Sequence, residues 1–215
     1  AKVIKKPGNV HDFKEFVVYV QLYGEQFLDS FREPTNKLVI PTDTMKNTIY
    51  VLAKKYPMNN PVEFGIDITN HFLQRYSHVS KVHVEIFEIV WPRIIMSNNL
   101  PHTHGFVDKK SYKNKCLVIN DRENIEVTAG IVEIEILKSR GSSFENFWTD
   151  EFTTLQPASD RICSTKANLK WTYDNYYDLK SIDHNQIYKN VKQIFVDQFA
   201  LHDQSISVQH SIDEI

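Results

Sequence analysis

Cysteine is scarce in this 215-residue chain: Cys116 and Cys163 are the only two, far apart and with no CxxC pair. That argues against a disulfide scaffold or a cysteine-based zinc site and points to a reducing compartment. No apolar run approaches the roughly 20 residues of a membrane-spanning helix. The basic N-terminus (AKVIKKPGNV) lacks the apolar centre of a secretory signal. Excess charge of one sign is missing too. The formal net charge is −2, which speaks against a surface that neutralises many phosphates, so no nucleic-acid partner is expected. What is present is ordinary globular material, 41% apolar. The expectation is a soluble, intracellular chain of two domains.

Patterning supplies the elements. Phe16 to Gly24 is rich in β-branched and aromatic residues and ends at glycine, which predicts a strand. A second extended stretch is expected next, then a turn at Glu33-Pro34-Thr35-Asn36. Met45, Ile49, Leu52 and Ala53 recur at helical spacing before Pro57. Asn60-Pro61 then opens a second helix buried through Phe64, Ile68, Phe72 and Leu73. Val82, Val84, Ile86 and Ile89 predict a long strand, Pro101 to His104 a polar loop, and Phe106-Val107 and Cys116–Ile119 two short strands. In the second half, Ile131, Ile134 and Ile136 predict a strand and Gly141-Ser142-Ser143 a turn. Residues 144–155 read as helical or irregular, and Asp160 to Trp171 as a strand followed by a Tyr- and Asp-rich loop. Asp183 caps an amphipathic helix carrying Ile187, Val191, Ile194, Phe195 and Phe199, and a further helix starts near Ser205. The order is β-β-α-α-β-β over 1–122, begun again over 123–215 without its last strands.

Three segments hold polar residues in chemically suggestive company. Thr42-Asp43, at a strand-to-helix junction, could cap the helix, or could hold an anion at its positive end while the threonine hydroxyl moves a proton. Phe144 and Arg161 could provide an aromatic platform and a planar fork for a flat, oxygen-rich anion; equally, Phe144 and Phe147 could be core and Arg161 could pair with Asp160 or Glu151. Gln209, in Ser207-Val208-Gln209, carries an amide complementary to an imide edge, or simply sits on the surface. His102 and His104 alternate on one face but lack an evident third metal ligand, and the two cysteines sit in apolar strands where packing explains them.

The pieces Val39–Thr48, Tyr76-Ser77-His78-Val79, Pro101–Phe106, Asp150–Leu155 with Asp160-Arg161-Ile162, and Ser205–Gln209 together resemble the urate oxidase (uricase) family in order and separation, across nearly the whole chain. The resemblance implies an α+β tandem of tunnelling-fold (T-fold) domains, each an antiparallel sheet backed by helices, divided at 1–122 and 123–215. It further implies a homotetramer with sites at subunit interfaces, and oxidation of urate by dioxygen to 5-hydroxyisourate and hydrogen peroxide with neither metal nor organic cofactor. By residue, Phe144 should stack on the purine, Arg161 and Gln209 should grip its edges, and Val208 and Leu155 should line the pocket. Thr42 with Asp43 should act catalytically on the dioxygen side, from a neighbouring subunit.

Two departures from the family pattern accompany it. The Tyr-Gly-Lys motif with the family's lysine has no counterpart, and Lys2 does not match its context. The family's Asn-x-His-Tyr motif would lie beyond Ile215. The expectation is a chain shortened at both ends, with weak or no turnover, so that an inactive purine-binding or oligomer-forming derivative is the alternative. A pterin or guanine-nucleotide T-fold enzyme fits less well, because its zinc-binding His/Cys set cannot be assembled here. Peroxisomal residence follows from the resemblance alone, since the chain ends Asp213-Glu214-Ile215 without a Ser-Lys-Leu-type address, and the cytoplasm is the other expectation.

Overall fold

A computed structural model describes residues 1–107, 111–174, 178–202 and 205–214. Strands β1 (Lys2–Lys5) and β2 (Asp12–Tyr23) lead through a 3-10 turn (Glu25–Leu28) into the one-turn helix α1 (Asp29–Arg32). Helices α2 (Thr42–Lys55) and α3 (Pro61–Arg75) follow, then β3 (Lys81–Ile89), the small hairpin β4 (Arg93–Ile95) and β5 (Pro101–Phe106), and β6 (Lys113–Asn120). The second half runs β7 (Ile125–Phe144), β8 (Ala158–Thr172), α4 (His184–Leu201) and α5 (Val208–Glu214). Six strands form one sheet in the order β1-β2-β3-β6-β7-β8, antiparallel at each pairing. The sheet is continuous across residue 122: β6 pairs with β7 from Asn120↔Ile125 to Lys113↔Val132.

Two apolar clusters lie between the helices and this sheet. In one, Phe64, Ile68 and Phe72 of α3 and Ile49, Leu52 and Ala53 of α2 meet Phe16, Val82, Val84 and Ile86. In the other, Val62 and Ile66 of α3 and Tyr188 and Phe195 of α4 meet Cys116, Val118, Val127 and Ile131. Helix α3 thus serves both clusters, which its nearly unbroken buried stripe makes possible. It lies close to the sheet at Gly65, where an added Cβ would stand 2.8 Å from Val118 Cγ2. Strict alternation in β3 buries Val82, Val84, Ile86 and, in line with them, Glu88. That buried carboxylate is satisfied by Lys14 Nζ and Asn114 Nδ2, each at 2.8 Å. Burial pushes the Cys116 thiol far up, so it behaves as a packing group.

Several local expectations are corrected. The stretch after Tyr23 is helical turn rather than extended. Pro101 to His104 lies in β5, paired with β4, rather than in a loop. Gly141-Ser142-Ser143 does not end a strand; it is a bulged part of β7, which runs on to Phe144. In α4 the buried stripe is His184, Tyr188 and Phe195, while Ile194 points outward. The Tyr- and Asp-rich loop after β8 falls partly on 175–177, and Ile215 also lies outside the described residues.

Asn60 supplies a clean local test. Its Oδ1 accepts from the Glu63 N–H at 2.9 Å and its Nδ2 donates to the Glu63 carboxylate at 2.7 Å, in a buried position. Asn60→Ala should lower stability by about 1–2 kcal/mol, and Ser, which keeps the acceptor, should lower it less. Urea-unfolding midpoints measure both.

Candidate active site

The far end of β7 carries the geometry of interest. At Gly141 the backbone turns to φ 80, which a residue without Cβ adopts readily. The Asp160 carboxylate accepts the Gly141 N–H at 2.7 Å. Just beyond, Ser142 pairs with Arg161 of β8, and Phe144 with Ala158. Ser142 also bridges in parallel to Ser205. There the Ser143 N–H donates to the Ser205 carbonyl at 2.8 Å and the Ser205 N–H to the Gly141 carbonyl at 2.9 Å. Three stretches distant in sequence therefore meet at one buried serine.

The side chains above this junction are an aromatic ring and a cation. The Arg161 guanidinium carbon lies 5.6 Å from the Phe144 ring centroid. Its Nη2 makes one long hydrogen bond, 3.4 Å, to the Ser143 carbonyl. No ion pair among the described residues involves Arg161, and Asp160, the partner considered from sequence, accepts the Gly141 N–H instead. Most of the planar donor fork is thus free to meet an incoming anion. Phe144 stacks on Phe147 at 4.9 Å with 11° between planes. Arg161 also lines a cavity of about 900 Å³, with Ser142, Cys163, Phe195, Ser205 and Val208 in the same wall, whereas Phe144 is not among its lining residues. Its lining mixes polar groups with the aromatic side chains Phe195 and Phe199 of α4, the mixture a flat polar ring requires.

The remaining candidates lie at varying distance from this constellation. Val208 shares the cavity wall, and Gln209 follows it on α5 with an exposed side chain. Leu155 is 53% exposed in the irregular segment between β7 and β8. Thr42 lines a different cavity of about 360 Å³, together with Tyr19, Met45 and Tyr50. Neither Thr42 nor Asp43 caps α2: Pro41 holds the cap position without a side-chain hydrogen bond. The capping expectation is corrected because both residues already lie within the first turn, where Asp43 instead accepts from Lys46 at 2.7 Å and Asn47 at 2.9 Å. His102 and His104 have ring centroids 4.4 Å apart on β5. Among the described residues, no three His, Cys, Asp or Glu side chains are grouped to hold a metal ion.

Comparison with known proteins gives a consistent picture. The family model described as "Uricase" matches residues 1–119 and 127–212. A uricase of Schizosaccharomyces pombe is 36% identical over 203 residues, covering 93% of this chain and 68% of that protein. A uricase of Dictyostelium discoideum is 33% identical, with 93% and 68% covered. For the rabbit (Oryctolagus cuniculus) uricase the figures are 34% identity, 92% and 64%. The crystal structure of uricase from Arthrobacter globiformis superposes with a TM-score of 0.88 at 28% identity, covering all of this chain and 70% of that one. The chain therefore spans about two thirds of the length of the curated relatives it matches.

The ion pair at the start of α2 is open to direct measurement. Lys46 holds the Asp43 carboxyl below its ordinary range, by hydrogen bond and charge, and Asp43 correspondingly raises Lys46. A depressed carboxylate contributes stability above its usual titration range and loses it only as pH falls through its own lowered midpoint. An NMR titration should place the Asp43 midpoint below that of a model aspartate, and Lys46→Met should bring it back up.

Proposed function

This chain belongs to the uricase family, and from that premise we propose that it oxidises urate with dioxygen and water to 5-hydroxyisourate and hydrogen peroxide. Urate loses two electrons and gains the hydroxyl of water, while dioxygen takes up the two electrons and two protons. The observation that carries the reading is the Arg161 guanidinium, which lies over the Phe144 ring and lines a cavity together with Val208. Urate is a planar anion that is already electron-rich, so a protein acting on it must hold it flat, keep it charged and exclude competing water. In the proposed complex the purine lies against Phe144. Phe147 now covers one face of that ring, so the ligand takes the other, and the guanidinium moves from above the ring to the ligand's rim. Arg161 then gives paired hydrogen bonds to urate oxygen and nitrogen, while Gln209 reads the opposite edge. Val208 contributes its backbone, and Leu155 closes the pocket.

Thr42 and Asp43 line or flank another cavity of the same chain, so their proposed place on the dioxygen side requires a second copy. The proposed assembly is therefore a homo-oligomer, a tetramer by family resemblance, with sites between subunits. A threonine hydroxyl there passes protons between dioxygen and urate without a redox centre, and the proposed reaction uses no cofactor. The same relationship supports two T-fold units, 1–122 and 123–215, joined edge to edge by β6 and β7, a place in purine breakdown, and peroxisomal residence for a eukaryotic member. No helix among the described residues is long and apolar enough to cross a membrane.

The test is to mix the purified protein with urate and follow loss of urate absorbance together with peroxide. Peroxide formed one for one with urate consumed is the expected result. Saturable urate binding without turnover would select the inactive, purine-binding derivative, and neither binding nor turnover would overturn the urate reading. Charged hydrogen bonds of this kind contribute about 1.5–3 kcal/mol each. Arg161→Ala should therefore weaken urate binding at least roughly tenfold, as read by calorimetry.

A further inference from the structure

The two halves of the proposed urate grip sit on different elements, Arg161 on β8 and Val208-Gln209 on α5. Something must fix the gap between them. Helix α5 has seven residues, too few to hold a shape unaided, since short isolated helices are unstable in water. Packing gives it little help: Val208 and Ile212 are both largely exposed. His210 contacts the His202 ring with centroids 5.3 Å apart, and a polar attachment runs through Ser205. The backbone of this buried residue bonds to Gly141 and Ser143 on both sides of Ser142, and Ser142 is itself paired with Arg161. The Ser205 hydroxyl turns the other way, towards α5. It shares a hydrogen bond with Ser211 Oγ and lies 3.4 Å from the Ser207 carbonyl. Ser211 in turn donates its hydroxyl, at 2.9 Å, and its N–H, at 3.1 Å, to that same carbonyl.

We propose that Ser205 is a positioning residue, whose hydroxyl fastens the first turn of α5 to the Ser142 junction and so sets the distance of Val208 and Gln209 from the Arg161 guanidinium. The inference rests on the urate reading and adds to it a residue that does not touch the ligand. Removing the hydroxyl leaves the backbone bridge intact and frees α5 to drift, which a rigid two-sided grip tolerates poorly.

The experiment is a double-mutant cycle on urate affinity, measured by calorimetry on the full chain. Ser205→Ala should weaken binding about five- to tenfold, the effect of one lost hydrogen bond, and Ser205→Thr should recover most of it. In a Gln209→Ala background, Ser205→Ala should cost clearly less than in the parent chain, because one of the two groups it positions is gone. Hydrogen exchange should quicken across 205–212 and stay unchanged in β6 and β7. Equal losses in both backgrounds, no loss at all, or loosened exchange throughout the sheet would each overturn the role of Ser205. If the unsubstituted chain fails to bind urate, the urate reading falls and takes this inference with it; if it binds and Ser205→Ala binds equally well, only the inference falls.

Discussion

Every backbone donor and acceptor along the twenty residues of β7 needs a partner, and that demand organises the molecule. The first part of the strand is flanked by β6 on one side and β8 on the other, which unites the two apolar clusters under a single sheet. Farther along, beyond the reach of β6, one flank of β7 would be bare. At Ser142 that flank is met by Ser205, and the end of the chain is thereby brought against Arg161. The site is therefore a by-product of completing a ladder: groups that converge on the cavity arrive on segments recruited for their backbones.

The bulge at Gly141 gives this convergence its direction. A regular strand would continue the pleat, alternating faces with each residue. The left-handed backbone at Gly141 and the register shifts between Lys138 and Phe144 break that alternation. Asp160 holds the break in place through the Gly141 amide. The arginine keeps no counter-ion among the described residues, so its charge is directed outward at whatever enters the cavity. An anionic ligand gains from such a field without first displacing an acidic partner.

Much of this was legible in the residues, and what was not has identifiable causes. The helices α2 and α3 follow from apolar spacing and from the Asn60-Pro61 start, because capping and periodicity are local effects. The alternation of β3 was equally plain, except that Glu88 occupies an inward position where sequence offered Ile89; only its partners on β2 and β6 make burial of that carboxylate tolerable. Gly141-Ser142-Ser143 reads as a turn by composition, and no local signal distinguishes a turn from a bulge whose partners lie at Arg161 and Ser205. Phe144 and Arg161 were picked out by residue type and brought together by the fold. Ser142, Ser205 and Asp160 were overlooked as a group, since hydroxyls and a lone carboxylate are common on surfaces and their meeting is a tertiary fact. The aromatic wall of the cavity was hidden differently: Phe195 serves the helix's buried stripe and the cavity at once, and the half-buried Phe199 joins it in the cavity wall.

The close approach of α3 to β6 at Gly65 leaves a constraint on how this sequence can change. The space missing at residue 65 is filled by the Val118 side chain, so the two positions share a single allotment of volume. A methyl group can be added to the helix only if one is withdrawn from the strand, and neither site is free to vary by itself. Anyone redesigning the layer between helix and sheet would have to treat the pair as one variable with two addresses.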